Sequence, residues 1–187
     1  DVPFKSIATF APHLNNIITF QSCSKTYAMT GWRIGYLAGN EKLVKAISKL
    51  QGQSTSCPNS IAQYAAIEAL SGNQNCVKEM KQIFHERRNL ILDELKKIPN
   101  LLCEVPNGAF YVFPNFKNYL NKKTKSGKLI KTSSDLSLYI LEQTGVVTVA
   151  GDSFGAPNYI RLSYATSNET ISKAVLLIKD VLKKIDF

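Results

Sequence analysis

The feature that most restricts how this chain folds is the stretch 76–98. There Val77, Met80, Phe84, Ile91, Leu95 and Ile98 recur at steps of three, four or, once, seven residues ahead of Pro99-Asn100. That period lines the apolar side chains along one stripe of a single long helix, and Pro99 stops it. A helix of this length can join two lobes, so a domain boundary is expected near its start, dividing the chain into 1–75 and 76–187.

Shorter signals alternate on both sides of this helix. The β-branched and aromatic run 17–21 and the run 33–38, closed by Gly39-Asn40, read as strands. Helical patterns follow over 41–50 and 61–70, the second ended by Ser71-Gly72-Asn73. Beyond Pro99, strands are expected at 101–105, at 109–113 before Pro114, along the run 146–149, and at 159–164. A helix is expected over about 134–144. Ile171, Ala174, Val175, Ile178, Leu182 and Ile185 give a closing helix one apolar face, with Thr166 and Glu169 placed for a capping box at its start. No internal repeat is visible, and the alternation is that of an α/β or α+β chain.

With 187 residues, 44% hydrophobic and 20% charged, there is material for one large core or two small ones. No run of about 18 apolar residues is present to span a bilayer, and DVPFKSIATF lacks the basic start and apolar core of a signal peptide, so a cytoplasmic address is expected. The chain does not begin with methionine, which suggests an internal piece of a longer protein. Cys23, Cys57, Cys76 and Cys103 are unevenly spaced, with no C-x-x-C pair and no histidine at ligand spacing; reduced thiols and no metal site are expected.

The formal charge of +9 raises nucleic acid as a partner. Much of it sits at Lys117, Lys122, Lys123, Lys125, Lys128 and Lys131, with no acidic residue in 117–131. A solvated, mobile loop is expected there, since charge runs usually face water. Only Tyr119 interleaves the lysines, so a nucleic-acid-binding domain is kept as a remote alternative.

Three cations stand out. Lys25 lies in SCSKTYAMTGWRIGY (22–36), among small hydroxyl residues after a strand and eight positions before Arg33. A lysine becomes nucleophilic towards an aldehyde only when unprotonated, through desolvation or nearby positive charge. A buried preceding strand and Arg33 supply both, and Ser22, Ser24 and Thr26 are donors suited to a phosphate. The same pattern equally describes a surface lysine at a strand end. Arg161 sits in YIRLSY, where alternation points it away from Ile160 and Leu162, towards either solvent or a carboxylate-binding cleft. Other motifs fail: HERRN (85–89) lacks the second histidine of a zinc-protease helix, and His13 is remote. Gly31, Gly35 and Gly39 match no phosphate or dinucleotide loop, and Asn168-Glu169-Thr170 matters as a glycosylation acceptor only on secretion.

SCSKTYAMTGWRIGYLAG resembles the cofactor-lysine segment of the fold type I pyridoxal-phosphate-dependent aminotransferases, in the class that includes aspartate aminotransferase. NGAFYVFPNF resembles the family's small-domain strand, and GVVTVAGDSFG with YIRLSYA its substrate-arginine segment. The lysine tract looks like a local insertion. The resemblance implies the end of a large α/β domain followed by a small α+β domain. It implies that Lys25 carries pyridoxal 5'-phosphate as a Schiff base and shuttles a proton, that Ser22 and Arg33 hold the phosphate, and that Arg161 grips the substrate α-carboxylate. It further implies a homodimer acting on an amino acid and a 2-oxo acid, aspartate with 2-oxoglutarate first, with aromatic amino acids or prephenate as alternatives. No nucleic-acid or membrane partner is implied. The family's ring-nitrogen aspartate and ring-oxygen tyrosine would lie upstream of Asp1, so this polypeptide alone is expected to be inactive or nearly so. Ala150 stands where the family often has proline.

Overall fold

The computed structural model describes residues 2–10 and 16–186, and His13 lies outside the described residues. β1 (Thr19–Ser22) pairs antiparallel with β2 (Gly35–Ala38), setting Ser22 opposite Gly35 and Thr19 opposite Ala38. The loop between them holds α1 (Cys23–Thr26) and a 3-10 turn at Thr30–Trp32. Two of the three spaced glycines are explained by this pairing. A Cβ on Gly35 would stand 2.6 Å from the Gln21 carbonyl oxygen and one on Gly39 3.1 Å from that of Ile17, closer than side-chain carbons are ordinarily found.

α2 (Glu41–Ser54) and α3 (Ser60–Ser71) follow, started by Asn40 and Asn59, whose side-chain oxygens accept from the N–H groups of Lys42 and Ala62. α3 packs by its small face. Ala62 and Ala66 are buried with Cys23, Met29 and Ile34 of the β1–β2 loop, while Ile61 and Tyr64 are 69% and 76% exposed. α4 (Asn75–Leu95) is the long helix expected from the sequence, and the chain divides within it into two compact units, Val2–Met80 and a second beginning at Lys81.

In the second unit β3 (Tyr111–Val112) and β6 (Val149–Ala150) flank β7 (Ile160–Ser163), all antiparallel. One face of this sheet carries Val112, Ile160 and Leu162 into a core with Ile91, Leu92 and Leu95 of α4. α5 (Ser133–Thr144) adds Leu136 and Ile140, and α6 (Asn168–Leu182) adds Ile171, Val175, Ile178 and Leu182. Ile160 is fully buried, and truncation to alanine there costs about 2–5 kcal/mol.

Three expectations are corrected. Residues 101–105 form no strand: Leu102 makes one isolated bridge to Asn115, which also bridges Tyr159. The neighbouring β3 is only two residues long because Pro114, whose carbonyl accepts from the Ile160 N–H at 3.2 Å, has no N–H to return the bond to β7, while 101–105 meets the other edge through the Asn115 N–H on the Leu102 carbonyl at 2.7 Å. α6 is capped one residue later than expected. Ser167, not Thr166, is extended and accepts from the Thr170 N–H at 3.2 Å, so the Thr166–Glu169 box does not form. The lysine tract is not a loop but a hairpin, β4 (Lys122–Lys123) with β5 (Leu129–Ile130). Thr124 and Ile130 bury inward, and Lys125 N–H and Asp186 N–H bond to the Lys184 and Lys123 carbonyls at 2.8 and 2.9 Å, tying the hairpin to the C-terminal segment. Lys128 meets Glu142 at 2.8 Å, an acid outside the tract.

Two carboxylates secure α5. Asp152 accepts from the Ser133 and Ser134 hydroxyls, each at 2.8 Å, and from the Ser134 N–H at 3.2 Å, which pins the 3-10 turn Gly151–Phe154 to the start of the helix. Asp135 accepts from the Thr132 N–H at 2.9 Å and the Lys131 N–H at 3.1 Å, completing a capping box with the Thr132 hydroxyl. The serine hydroxyls hold the Asp152 carboxyl below the usual carboxylate range, and the Thr132 backbone and hydroxyl do the same for Asp135. A depressed folded-state pKa gives stability that is present above the unfolded value and lost as pH falls through the folded value. The urea midpoint is therefore expected to fall as pH drops from about 5 towards 3, less steeply in Asp152→Asn; an unchanged slope in that variant would show that Asp152 contributes nothing to acid sensitivity.

Candidate functional site

The Lys25 loop is shaped by what it buries. Cys23 is fully buried and its N–H bonds to the Ile34 carbonyl at 3.3 Å, so the first turn of α1 is fixed with Cys23 inward. At 100° per residue, Lys25 lies about 200° round the helix from Cys23 and points outward. It is exposed. Ser22 starts the turn, its hydroxyl accepting from the Ser24 N–H at 3.1 Å. Tyr27 ties the far end down, donating to Gln74 Oε1 at 3.0 Å, while the Gln74 amide donates to the carbonyls of Ala69 and Gly72, each at 2.9 Å.

Beyond Tyr27 the backbone is strained. Ala28 and Arg33 have φ of 54° and 51°, left-handed values that cost side-chain-bearing residues on the order of 1 kcal/mol or more each. Buried Met29 and Ile34 hold the segment between and beside them, and Arg33 Nη1 donates to the Thr30 carbonyl at 3.1 Å. The result is a rigid loop with two cations, Lys25 and Arg33, outside a core of Cys23, Met29 and Ile34, and the Ser22 hydroxyl at its head.

The expected desolvation of Lys25 is not supplied by this chain. Phe20 on β1 is 72% exposed, because among the described residues β1 pairs only with β2 and its outer side has no covering layer. The thiols offer no competing nucleophile on this loop, since Cys23 is fully buried. In the second unit, burial pushes the Cys103 thiol up to about 11.

Arg161 belongs to the second unit. On β7 Ile160 and Leu162 are buried while Arg161, between them, turns to the opposite face. That face is aromatic. Tyr111, one diagonal step away on β3, lies with its ring centroid 5.2 Å from the guanidinium carbon, and Phe154, from the turn pinned by Asp152, lies 5.0 Å from it. Phe154 meets Phe113 edge-on at 6.0 Å, and Phe113 stacks on Tyr159 at 5.0 Å. Among the described residues the guanidinium has no hydrogen-bond or ion-pair partner, so its donor fork is available to a planar anion such as a carboxylate. Sequence reading named Lys25, Ser22, Arg33 and Arg161 but missed Tyr111, Phe154 and Asp152. The signal for the aromatics was period-2 alternation, which sets Tyr111 and Arg161 on one face once the β3–β7 register is known.

The turn after β6 is equally constrained. A Cβ on Gly151 would stand 2.1 Å from the Ala156 carbonyl oxygen and 2.5 Å from that of Tyr159. Ala150 already has φ of −62°, the value a proline ring imposes. Gly151 N–H bonds to the Tyr159 carbonyl at 2.7 Å, so ladder alternation turns the Ala150 N–H away from β7, where its loss breaks no sheet bond. Ala150→Pro is expected to stabilise by about 0.4–1 kcal/mol, read as a rise in Tm; a fall would show that the N–H or local sterics matter.

The family model for aminotransferase class I and II matches residues 2–178. A probable aspartate/prephenate aminotransferase of Rhizobium leguminosarum bv. phaseoli is 45% identical over 175 residues, 93% of this chain and 44% of that protein. One of the same description from Rickettsia typhi is 46% identical over 180 residues, covering 96% and 45%. The crystal structure of the aspartate aminotransferase from Rhizobium meliloti superposes with a TM-score of 0.93 at 43% identity, over 98% of this chain and 46% of that one. That of an aromatic aminotransferase from Pyrococcus horikoshii gives 0.87 at 33% identity, over 98% and 47%. The chain thus spans less than half the length of the curated relatives it matches.

Proposed function

Because the chain belongs to the class I and II aminotransferases, we propose that it supplies such an enzyme with its reactive lysine, phosphate-binding arginine and carboxylate-binding arginine. The unit Val2–Met80 is the end of the large cofactor-binding domain, and the unit from Lys81 is the small domain. What supports the reading is the Lys25 loop, which sets an amine, a guanidinium and a hydroxyl outside one small core on a backbone strained at Ala28 and Arg33.

That donor set fits pyridoxal 5'-phosphate: an amine for the aldehyde, with Arg33 and the Ser22 hydroxyl for the phosphate. When bound, the cofactor supplies the carbonyl that takes the amino group and the ring that accepts the electron pair left at Cα. The protein's part is positional. Arg33 is a fixed counter-charge, because its left-handed backbone and the Thr30 contact restrict where the guanidinium reaches. Lys25 Nζ takes the proton from the substrate Cα and returns it to the new position. Arg161 holds the α-carboxylate by its two-pronged fork and so orients the Cα–H bond.

The proposed reaction moves an amino group between an L-amino acid and a 2-oxo acid, aspartate with 2-oxoglutarate first. Prephenate is the second reading, favoured by the descriptions of the relatives from Rhizobium leguminosarum bv. phaseoli and Rickettsia typhi. The ratio of kcat/KM values for the two oxo acids separates them. A cytoplasmic homodimer completes the proposal. The four thiols are unbridged, as suits a reducing compartment, and no helix among the described residues is long and apolar enough to cross a membrane.

Because the chain covers under half of its relatives, turnover by this polypeptide alone is expected to be at or near zero. In the holoenzyme, borohydride reduction followed by peptide mapping is expected to place the pyridoxyl group on Lys25, and Lys25→Ala to lower kcat by at least about a thousandfold. A label on another lysine, or near-normal turnover in the alanine variant, overturns the assignment.

A further inference from the structure

We infer that Tyr111 and Phe154 are positioning residues for Arg161: their rings hold the guanidinium from two sides, keeping its fork directed at the substrate carboxylate. The inference deepens the proposed function and rests on Arg161 being the carboxylate-binding group. Both ring centroids lie well inside the roughly 6 Å over which an aromatic quadrupole attracts a cation.

The two rings reach Arg161 from independent directions. Tyr111 comes from β3, where its register partner Ser163 places it on the same sheet face as Arg161. Phe154 comes from the turn after β6, held by Asp152 on the serines that begin α5 and packed edge-on against Phe113. An arginine has several rotatable bonds, and fixing them on binding a substrate costs affinity. Rings that hold the planar group beforehand remove that cost. They also leave its donors unsatisfied, because a π-face attracts the cation without accepting its N–H bonds as a carboxylate does. With no hydrogen-bond or ion-pair partner among the described residues, the guanidinium is pre-oriented and still open to a planar anion.

The test is made in the holoenzyme with phenylalanine at position 154 replaced by mono-, di- and trifluorophenylalanine, which weakens the ring's negative face while keeping its shape. KM for both the amino acid and the oxo acid is expected to rise stepwise with fluorine number, by about tenfold in all, with kcat changed less than about twofold. Tyr111→Leu is expected to raise KM similarly and Tyr111→Phe to restore it. The reaction with a primary amine lacking the α-carboxylate stays unchanged across the series. Arg161→Lys separates the two layers of inference. If it leaves KM unaltered, the carboxylate-binding reading itself is wrong; if it raises KM while the fluorinated series stays flat, or if the series weakens the amine and the amino acid alike, the aromatic hold is overturned.

Discussion

Both clusters of candidate residues depend on one constraint: apolar side chains that must leave water drag their polar neighbours to the opposite side. In the first unit Cys23, Met29 and Ile34 drop against the alanine face of α3, and the backbone reaches this only by taking left-handed turns at Ala28 and Arg33. Lys25 and Arg33 are left outside. In the second unit Ile160 and Leu162 enter the core and Arg161, between them, is turned over the other face of the sheet. The directions of these cations follow first from where the oily atoms go, and the hydrogen bonds made at Ser22, Tyr27, Arg33 and Asp152 then narrow the result.

How much of this was legible in the sequence depended on whether a signal was periodic or relational. Helices α4, α5 and α6 repeat their apolar residues over several turns, and each lies close to where the pattern placed it. The opposed directions of Arg161 and its neighbours follow from the two-residue period of a strand. Single-residue choices were not legible in the same way. Thr166 and Ser167 are both good caps, and only the extended backbone at Ser167 decides between them. The expected strand at 101–105 had suitable composition, but a strand needs a partner along its length, and among the described residues this one bridges another segment at Leu102 alone.

The candidate site residues divide along the same line. Lys25, Ser22, Arg33 and Arg161 stand in recognisable segments. Tyr111, Phe154 and Asp152 act through pairings between segments far apart in the chain, such as Asp152 with Ser133, and these exist only after folding. The exposed β1 was misjudged for a related reason: composition shows that Phe20 belongs against something, not which part of a protein lies against it. The bulky side of α3 carries the same message, since Ile61 and Tyr64 face outward while its alanines are buried. Such surfaces are commonly interaction sites.

The basic hairpin is tied to the rest of its unit along both strands. Buried Ile130 and Thr124, with the Lys125 and Asp186 N–H bonds to the Lys184 and Lys123 carbonyls, anchor it, and at its tip the exposed Ser126-Gly127 turn back on Thr124, whose carbonyl accepts from the Gly127 N–H at 2.8 Å, with Gly127 at a φ of 88°. Lengthening a tip of this kind costs little, because closure entropy grows only slowly with loop size. Residues added at Ser126-Gly127 leave the strands as they are, whereas a single deletion within 122–125 would shift their pairing with Lys184–Asp186. Orthologues are thus expected to differ in hairpin size while keeping its base, and a reporter peptide spliced at the tip should leave both units intact.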